Sequence, residues 1–354
     1  MEILLNPGPV NLSERVRKSL LKPDLCHREK EFTLLQERIR KQILDVYQLP
    51  ADIWTAVLIT GSGSAAMEAM MCSMIPATGK VLILENGVYG ERLSRIAGIH
   101  GIEFDVIHQD WGAEISPQAI GDHLARGYSH LALVHHETTT GRLNDISALS
   151  DICRDLNIPV LLDAVSSFGA EEICFRKWGL DACAATANKC LHGIPGTSFV
   201  ICQRKSLLAA DIHRTLYLDL LNYMKQQDTG GTPFTQSVQS FYALDEALQE
   251  FHEAGGWQAR RDVYRQRMQK VVQGLVDMGV SQFLDPGVSS CVLNSFNLPT
   301  GLTYDELHDG LKEKGFVIYA GQGGLAKSIF RISLMGDIKD ADIDRFLAAF
   351  AGLV

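Results

Sequence analysis

Between about residue 52 and residue 203, short runs that are apolar throughout alternate with stretches of helical periodicity. That alternation constrains the fold more than any other feature. Residues 56–60 (AVLIT), 80–85 (KVLILE), 104–107, 130–134, 159–163 (PVLLD), 181–186 and 197–202 read as strands, and 64–75, 90–100, 117–126 and 145–156 as helices. A strand exposed on one face alternates apolar with polar residues. A strand with no polar side is covered on both faces, which predicts an α/β chain around a parallel sheet. Beyond about residue 205 the pattern changes to long helices at 237–253 and 259–278 around Gly255-Gly256, strand-like segments at 292–298, 316–319 and 329–333, a helix at 304–314 and a last helix from Ile338. This predicts a smaller α+β domain of about 100 residues, with the glycine pair as the boundary.

Three signals fall at the ends of the predicted strands. Gly61-Ser62-Gly63-Ser64 joins a strand to a helix. Small residues there let backbone N–H groups and hydroxyls close on a phosphate, although a tight, serine-capped turn has the same composition. The same glycines, as Gly61-x-Gly63-x-x-Ala66 with Glu85 ending the next strand, also fit a dinucleotide fingerprint. Against that stand the 60 residues that precede Gly61 and the two serines, which suit a terminal phosphate monoester. Asp163 ends PVLLD, where an acid points into the ligand crevice of a parallel sheet or caps the next turn. Lys189, in Thr186-Ala-Asn-Lys189-Cys, follows another buried strand, as a desolvated amine or as a solvated loop lysine. Pyridoxal phosphate needs a lysine for its aldehyde, an acid for its pyridine nitrogen and a phosphate cup. Lys189, Asp163 and Ser62–Ser64 supply all three on one predicted sheet edge, with Tyr89 as a possible aromatic plate.

Composition narrows the alternatives. With 46% hydrophobic and 21% charged residues the chain is neither disordered nor fibrous. A net charge of −9 argues against a nucleic-acid or anionic-membrane surface and requires a local cationic pocket for any anionic ligand. The eight cysteines never stand as C-x-x-C, so a reducing compartment is expected. With no signal-like start and no 18-residue apolar stretch, the expected location is the cytoplasm, with no membrane contact. His135-His136-Glu137 places adjacent ligands on opposite sides of a strand, so no metal is expected.

These residues, read with Asn6-Pro-Gly-Pro9, Asn86-Gly-Val-Tyr-Gly90, His136-Glu-Thr-Thr-Thr-Gly141, Asp163-Ala-Val-Ser-Ser-Phe-Gly169, Ala187-Asn-Lys-Cys190, Gly193-Ile-Pro-Gly196, Leu218-Asp-Leu220, Gly315-Phe-Val-Ile-Tyr319 and Phe330-Arg-Ile332, resemble the class V aminotransferases over nearly the whole chain. The resemblance implies fold type I: a large domain at 16–254 around a mostly parallel seven-stranded sheet, a small C-terminal domain at 255–354, and an N-terminal segment at 1–15 that joins the small domain and the active site. It implies pyridoxal phosphate bonded to Lys189, with Asp163 on the pyridine nitrogen, Ser62, Gly63 and Ser64 on the phosphate, Tyr89 against the ring and Thr138 near its hydroxyl. It implies a homodimer in which Thr235 reaches the other subunit's phosphate. Arg331 should bind the acid group of the substrate near Gly8 and Pro9, with Arg28 and then Arg214 as further cations. The Asn-Lys-Cys and Glu-Thr-Thr-Thr-Gly forms are similar to a branch that transfers the amino group of a small aminophosphonate to pyruvate. Residues 26–32, 229–234 and 332–336 depart from that branch around the expected substrate mouth. Arg28, with His27, keeps an alanine- or serine-glyoxylate activity open, and the dinucleotide fingerprint keeps a dehydrogenase as the distant alternative.

Overall fold

The computed structural model describes residues 2–354. Seven strands form the central sheet in the order Trp54–Gly61, Gly196–Gln203, Leu180–Thr186, Val160–Asp163, His130–Val134, Lys80–Glu85, Glu103–His108. Successive side chains of a strand point to opposite faces. Ala56 and Leu58 therefore join a core on one face while Val57 and Ile59 join a core on the other, and all four are fully buried. Leu82 and Leu84 against Val81 and Ile83 repeat the pattern. Two apolar faces explain the uninterrupted apolar runs.

The sheet is mostly parallel with one exception. Gly196–Gln203 runs antiparallel to both of its neighbours. Only residues 187–195 separate it from the preceding strand, too few for the dozen or so that a parallel crossover needs. Lys189 stands in that connection.

The carboxyl end of Trp54–Gly61 leads directly into the helix Gly63–Met74, nine of whose twelve residues are buried. The helix Val88–Ile99 follows Lys80–Glu85 in the same way. At the far end of the large sheet's last helix, Val238–Glu253, Gly255 and Gly256 take left-handed φ values of 96° and 75° and open the helix Gly256–Asp277. A three-stranded antiparallel sheet, Leu293–Asn297, Ile329–Ser333 and Tyr319–Ala320, carries a third core. Ile3, Leu5 and Val10 belong to that core with Phe316, Phe330 and Phe346, and Ile3–Leu4 pairs in parallel with Phe316–Val317. The N-terminal segment thus leaves the third core and passes beside Lys189.

Candidate active site

The site is built at the carboxyl edge of the sheet. Val160–Asp163 ends in a carboxylate that is 3% exposed, in register with Val134 and Ala184 of the flanking strands. Leu180–Thr186 delivers Lys189 from the next strand end. Trp54–Gly61 delivers Ser62, the N-cap of Gly63–Met74, whose hydroxyl makes no capping hydrogen bond. Helix N-termini carry unpaired N–H groups and a positive dipole end. They come close here because position 63 is glycine: a Cβ would stand 2.8 Å from the Cγ1 of Val165. All these groups line one cavity of about 190 Å³ with Tyr89 and Thr138. The sequence singles out each of them separately, and the fold brings them together.

Burial sets their charges. Lys189 Nζ donates to the Pro7 carbonyl, and Gly8 leaves it room, since a Cβ there would lie 3.0 Å from Nζ. Desolvation pulls the Lys189 ammonium down to about 8, helped by Arg331 and Arg92 and opposed by Cys190 and Asp163. Desolvation pushes the Asp163 carboxyl up to about 6 although Oδ1 accepts the Val165 N–H at 2.9 Å and Arg92 and Lys189 favour its ionised form. At neutral pH the acid is still mostly ionised and the amine still mostly protonated, but each sits much nearer its midpoint than an exposed group would.

Several lining residues escaped the sequence reading. His136 faces the Ser166 carbonyl with Nδ1 at 3.2 Å, which makes Nδ1 the protonated nitrogen and Nε2 a lone-pair acceptor. Nε2 is buried with no partner among the described residues, and burial brings the imidazole down to about 4. Arg92 donates to Ser64 Oγ at 3.1 Å, lies 4.6 Å from the Tyr89 ring centroid and has no carboxylate within 4.0 Å among the described residues. Its only advance signal is its place one helical turn after Tyr89.

Arg331 stands just outside the cavity wall. It is 3% exposed, donating from Nε to Ala320 O and from Nη1 to Thr138 O at 2.8 Å each. No carboxylate lies within 4.0 Å of it among the described residues, and desolvation weakens its hold on its proton. It is a fixed cation with donors to spare.

The remaining expectations lie elsewhere. Thr235, Arg28 and Pro9 are exposed and do not line the cavity, and Gly8 meets it only through Lys189. Arg214 is corrected. Its guanidinium donates to the carbonyls of Cys72, Ile75 and Pro76, where Gly63–Met74 ends, and so caps the far end of the helix whose start faces the cavity. A helix carboxyl end offers four unpaired carbonyls, which a guanidinium satisfies well. Glu85, the acid of the dinucleotide fingerprint, is buried and occupied by Ser94 Oγ and His108, so it is not free for a ribose.

Residues 17–346 match the family model Aminotransferase class-V. The chain is similar to the 2-aminoethylphosphonate–pyruvate transaminase of Bacteroides fragilis, 32% identical over 98% of this chain and 97% of that one. It is similar to the protein of the same name in Vibrio cholerae, 35% identical over 98% and 96%. Among solved structures it resembles ureidoglycine–glyoxylate aminotransferase from Bacillus subtilis, with a TM-score of 0.92 and 25% identity over 100% of this chain and 92% of that one. Alanine–glyoxylate aminotransferase from Nostoc sp. also scores 0.92, at 26% identity over 99% and 95%.

Proposed function

This chain belongs to the class V aminotransferases, a family of fold-type I enzymes, and we propose that it uses pyridoxal phosphate to move the amino group of 2-aminoethylphosphonate, or a close aminophosphonate, to pyruvate. The products are phosphonoacetaldehyde and L-alanine. The observation that carries this reading is the convergence of Lys189, Asp163 and Ser62–Ser64 on one cavity with both titratable groups displaced toward the middle of the pH scale.

The residues fit the cofactor. A pyridinium N–H suits a buried acid that has no cation within 4.0 Å among the described residues, a phosphate suits the start of Gly63–Met74, and the Nε2 of His136, unpartnered among those residues, offers an acceptor to a ring hydroxyl beside Thr138. Bound there, pyridoxal phosphate supplies an electron-withdrawing ring that acidifies the C–H on the substrate's amine-bearing carbon. Lys189, whose ammonium burial brings down to about 8, would hold the cofactor through its aldehyde carbon, the neutral amine being much easier to reach than in an exposed lysine. With a substrate amine in place, the same Nζ would remove and return the proton at the amine-bearing carbon. Asp163 would hold the proton on the pyridine nitrogen, and Tyr89 would flank the ring. Arg331 would take the phosphonate of the donor and the carboxylate of the keto acid in turn, next to the Gly8–Pro9 segment, with Arg28, exposed and off the cavity lining, as a lower-ranked further cation. Thr235, exposed on its own subunit, completes the phosphate cup of the other subunit in a homodimer. Among the described residues no helix is long and apolar enough to cross a membrane.

A second reading, alanine or serine with glyoxylate, is favoured by the 0.92 structural match to an alanine–glyoxylate enzyme. A donor panel separates the two: 2-aminoethylphosphonate, its hydroxylated and 1-amino relatives, alanine, serine and aspartate, each with pyruvate and with glyoxylate. The aminophosphonate with pyruvate is expected to give the highest kcat/KM. Serine or alanine with glyoxylate running faster by a clear margin would overturn the donor assignment. The purified protein should be yellow and bleached by borohydride, and Lys189→Ala should not bleach. Arg331→Lys should lose at least about tenfold in kcat/KM, because a point charge replaces a planar fork.

A further inference from the structure

The helix Val88–Ile99 has no cap of its own, because its N-cap is Gly87. Its first N–H groups are satisfied from another segment. Val88 N–H donates to Thr139 Oγ1 at 3.0 Å, and Tyr89 and Gly90 N–H both donate to Glu137 Oε2 at 3.2 Å. The second oxygen, Oε1, accepts the Thr139 N–H at 3.2 Å and its hydroxyl at 2.6 Å. Glu137 is 0% exposed. A Cβ on Gly87 would fall within the Cγ and Cδ of Glu137, so the glycine is what admits the carboxylate. Two parts of the site meet in this contact. One is the helix start that carries Tyr89 and Arg92. The other is the turn that carries His136 and Thr138, whose carbonyl in turn receives Arg331 Nη1 at 2.8 Å.

We propose that Glu137 is a positioning residue that holds the cofactor plate, the cofactor-facing turn and the substrate cation in one register. The proposal rests on the functional reading above. Glu137 does not touch the reacting atoms. Its carboxylate is an acceptor on both oxygens, and four donors converge on it. Glutamine has the same shape but turns an NH₂ toward one donor pair, and so loses two of the four bonds while leaving two buried donors unpaired.

The test uses Glu137→Gln, the milder Glu137→Asp, and Gly87→Ala alone and combined with Glu137→Ala. In the cofactor-free protein, amide hydrogen exchange at Val88, Tyr89 and Gly90 should accelerate at least about tenfold in Glu137→Gln and Gly87→Ala. With cofactor, both should weaken pyridoxal phosphate binding about tenfold and raise the KM of an acid-bearing donor more than they lower kcat. Gly87→Ala should add little to Glu137→Ala in melting temperature, since the group it collides with is gone. Variants that melt lower but keep wild-type cofactor affinity and KM would reduce Glu137 to a structural cap and overturn the proposal. Unchanged exchange at residues 88–90 would overturn it too. A wild-type protein that takes up no pyridoxal phosphate would sink the functional reading instead. The exchange rates and the Gly87–Glu137 non-additivity would then still judge the tether.

Discussion

The role proposed for Lys189 needs an amine that is buried and still gives up its proton within reach of neutral pH. Its displacement to about 8 meets both needs, and burial is the largest cause. Only the neutral amine attacks an aldehyde, so the rate at which cofactor-free protein captures pyridoxal phosphate should rise as pH passes about 8 and then level off. An ordinary lysine, at about 10.4, would give a rate still climbing two units higher. Stopped-flow absorbance across that range decides, and a climb to pH 10 would mean the amine is not desolvated. Linkage has the same sign. The folded pKa lies below the unfolded one, so the unfolded chain binds more protons between about 8 and 10.5, and Lys189 adds stability as pH rises through that window. Asp163 and Lys189 were legible because each stands just beyond an apolar run. Arg92 was not, because its meaning depends on Ser64, 28 residues away, and on Tyr89 beneath it. Arg214 looked like a free cation for the same reason: its three carbonyl partners belong to a helix end 138 to 142 residues earlier.

At the level of elements, the start of Gly63–Met74 can serve a phosphate only if it stays close to the segment that follows Asp163. Gly63→Ala should push the two apart, because its Cβ would meet Val165 Cγ1 at 2.8 Å. The expected result is a folded protein whose affinity for pyridoxal phosphate falls about tenfold while that for pyridoxal, which lacks the phosphate, falls much less. Equal losses for both ligands would mean that the ring site, not the cup, was damaged. The seven strands were readable because both faces of the sheet are apolar, and the helices between them because their faces are. The antiparallel return of Gly196–Gln203 was not readable, since strand direction leaves no mark on composition and is fixed here by a short connection. The helices Lys30–Asp45 and Leu220–Asp228 escaped as well, because they bury polar residues. Arg40 donates to Ala56 O, and Gln227 both donates to and accepts from the backbone of Leu58. Trp54–Gly61 is an edge strand, and its free backbone groups must be satisfied or exposed. Polar side chains on these helices do that work, and they break the apolar pattern from which a helix would have been inferred.

For the whole molecule, the site as one chain builds it holds fixed cations at Arg92 and Arg331, against a net charge of −9. Thr235 stands exposed outside the cavity. If Thr235 serves the neighbour's phosphate, each site combines Lys189 from one chain with Thr235 from the other, and the two defects can be separated. Thr235→Glu sets a carboxylate against that phosphate and should abolish tight cofactor binding, since two anions in a shared cup repel. Lys189→Ala is inactive for its own reason. In a mixed dimer one site inherits both lesions, but the other pairs an intact Lys189 with an intact Thr235. Random reassortment of the two variants should therefore restore about a quarter of wild-type activity, because about half the dimers are mixed and half their sites are whole. The recovery should follow the kinetics of subunit exchange and vanish if the variants are assayed before mixing. No recovery after full exchange would place Thr235 and Lys189 in the same site of one chain. A Thr235→Glu protein with normal cofactor affinity would remove the residue from the cup, and with it the catalytic reason for proposing a dimer.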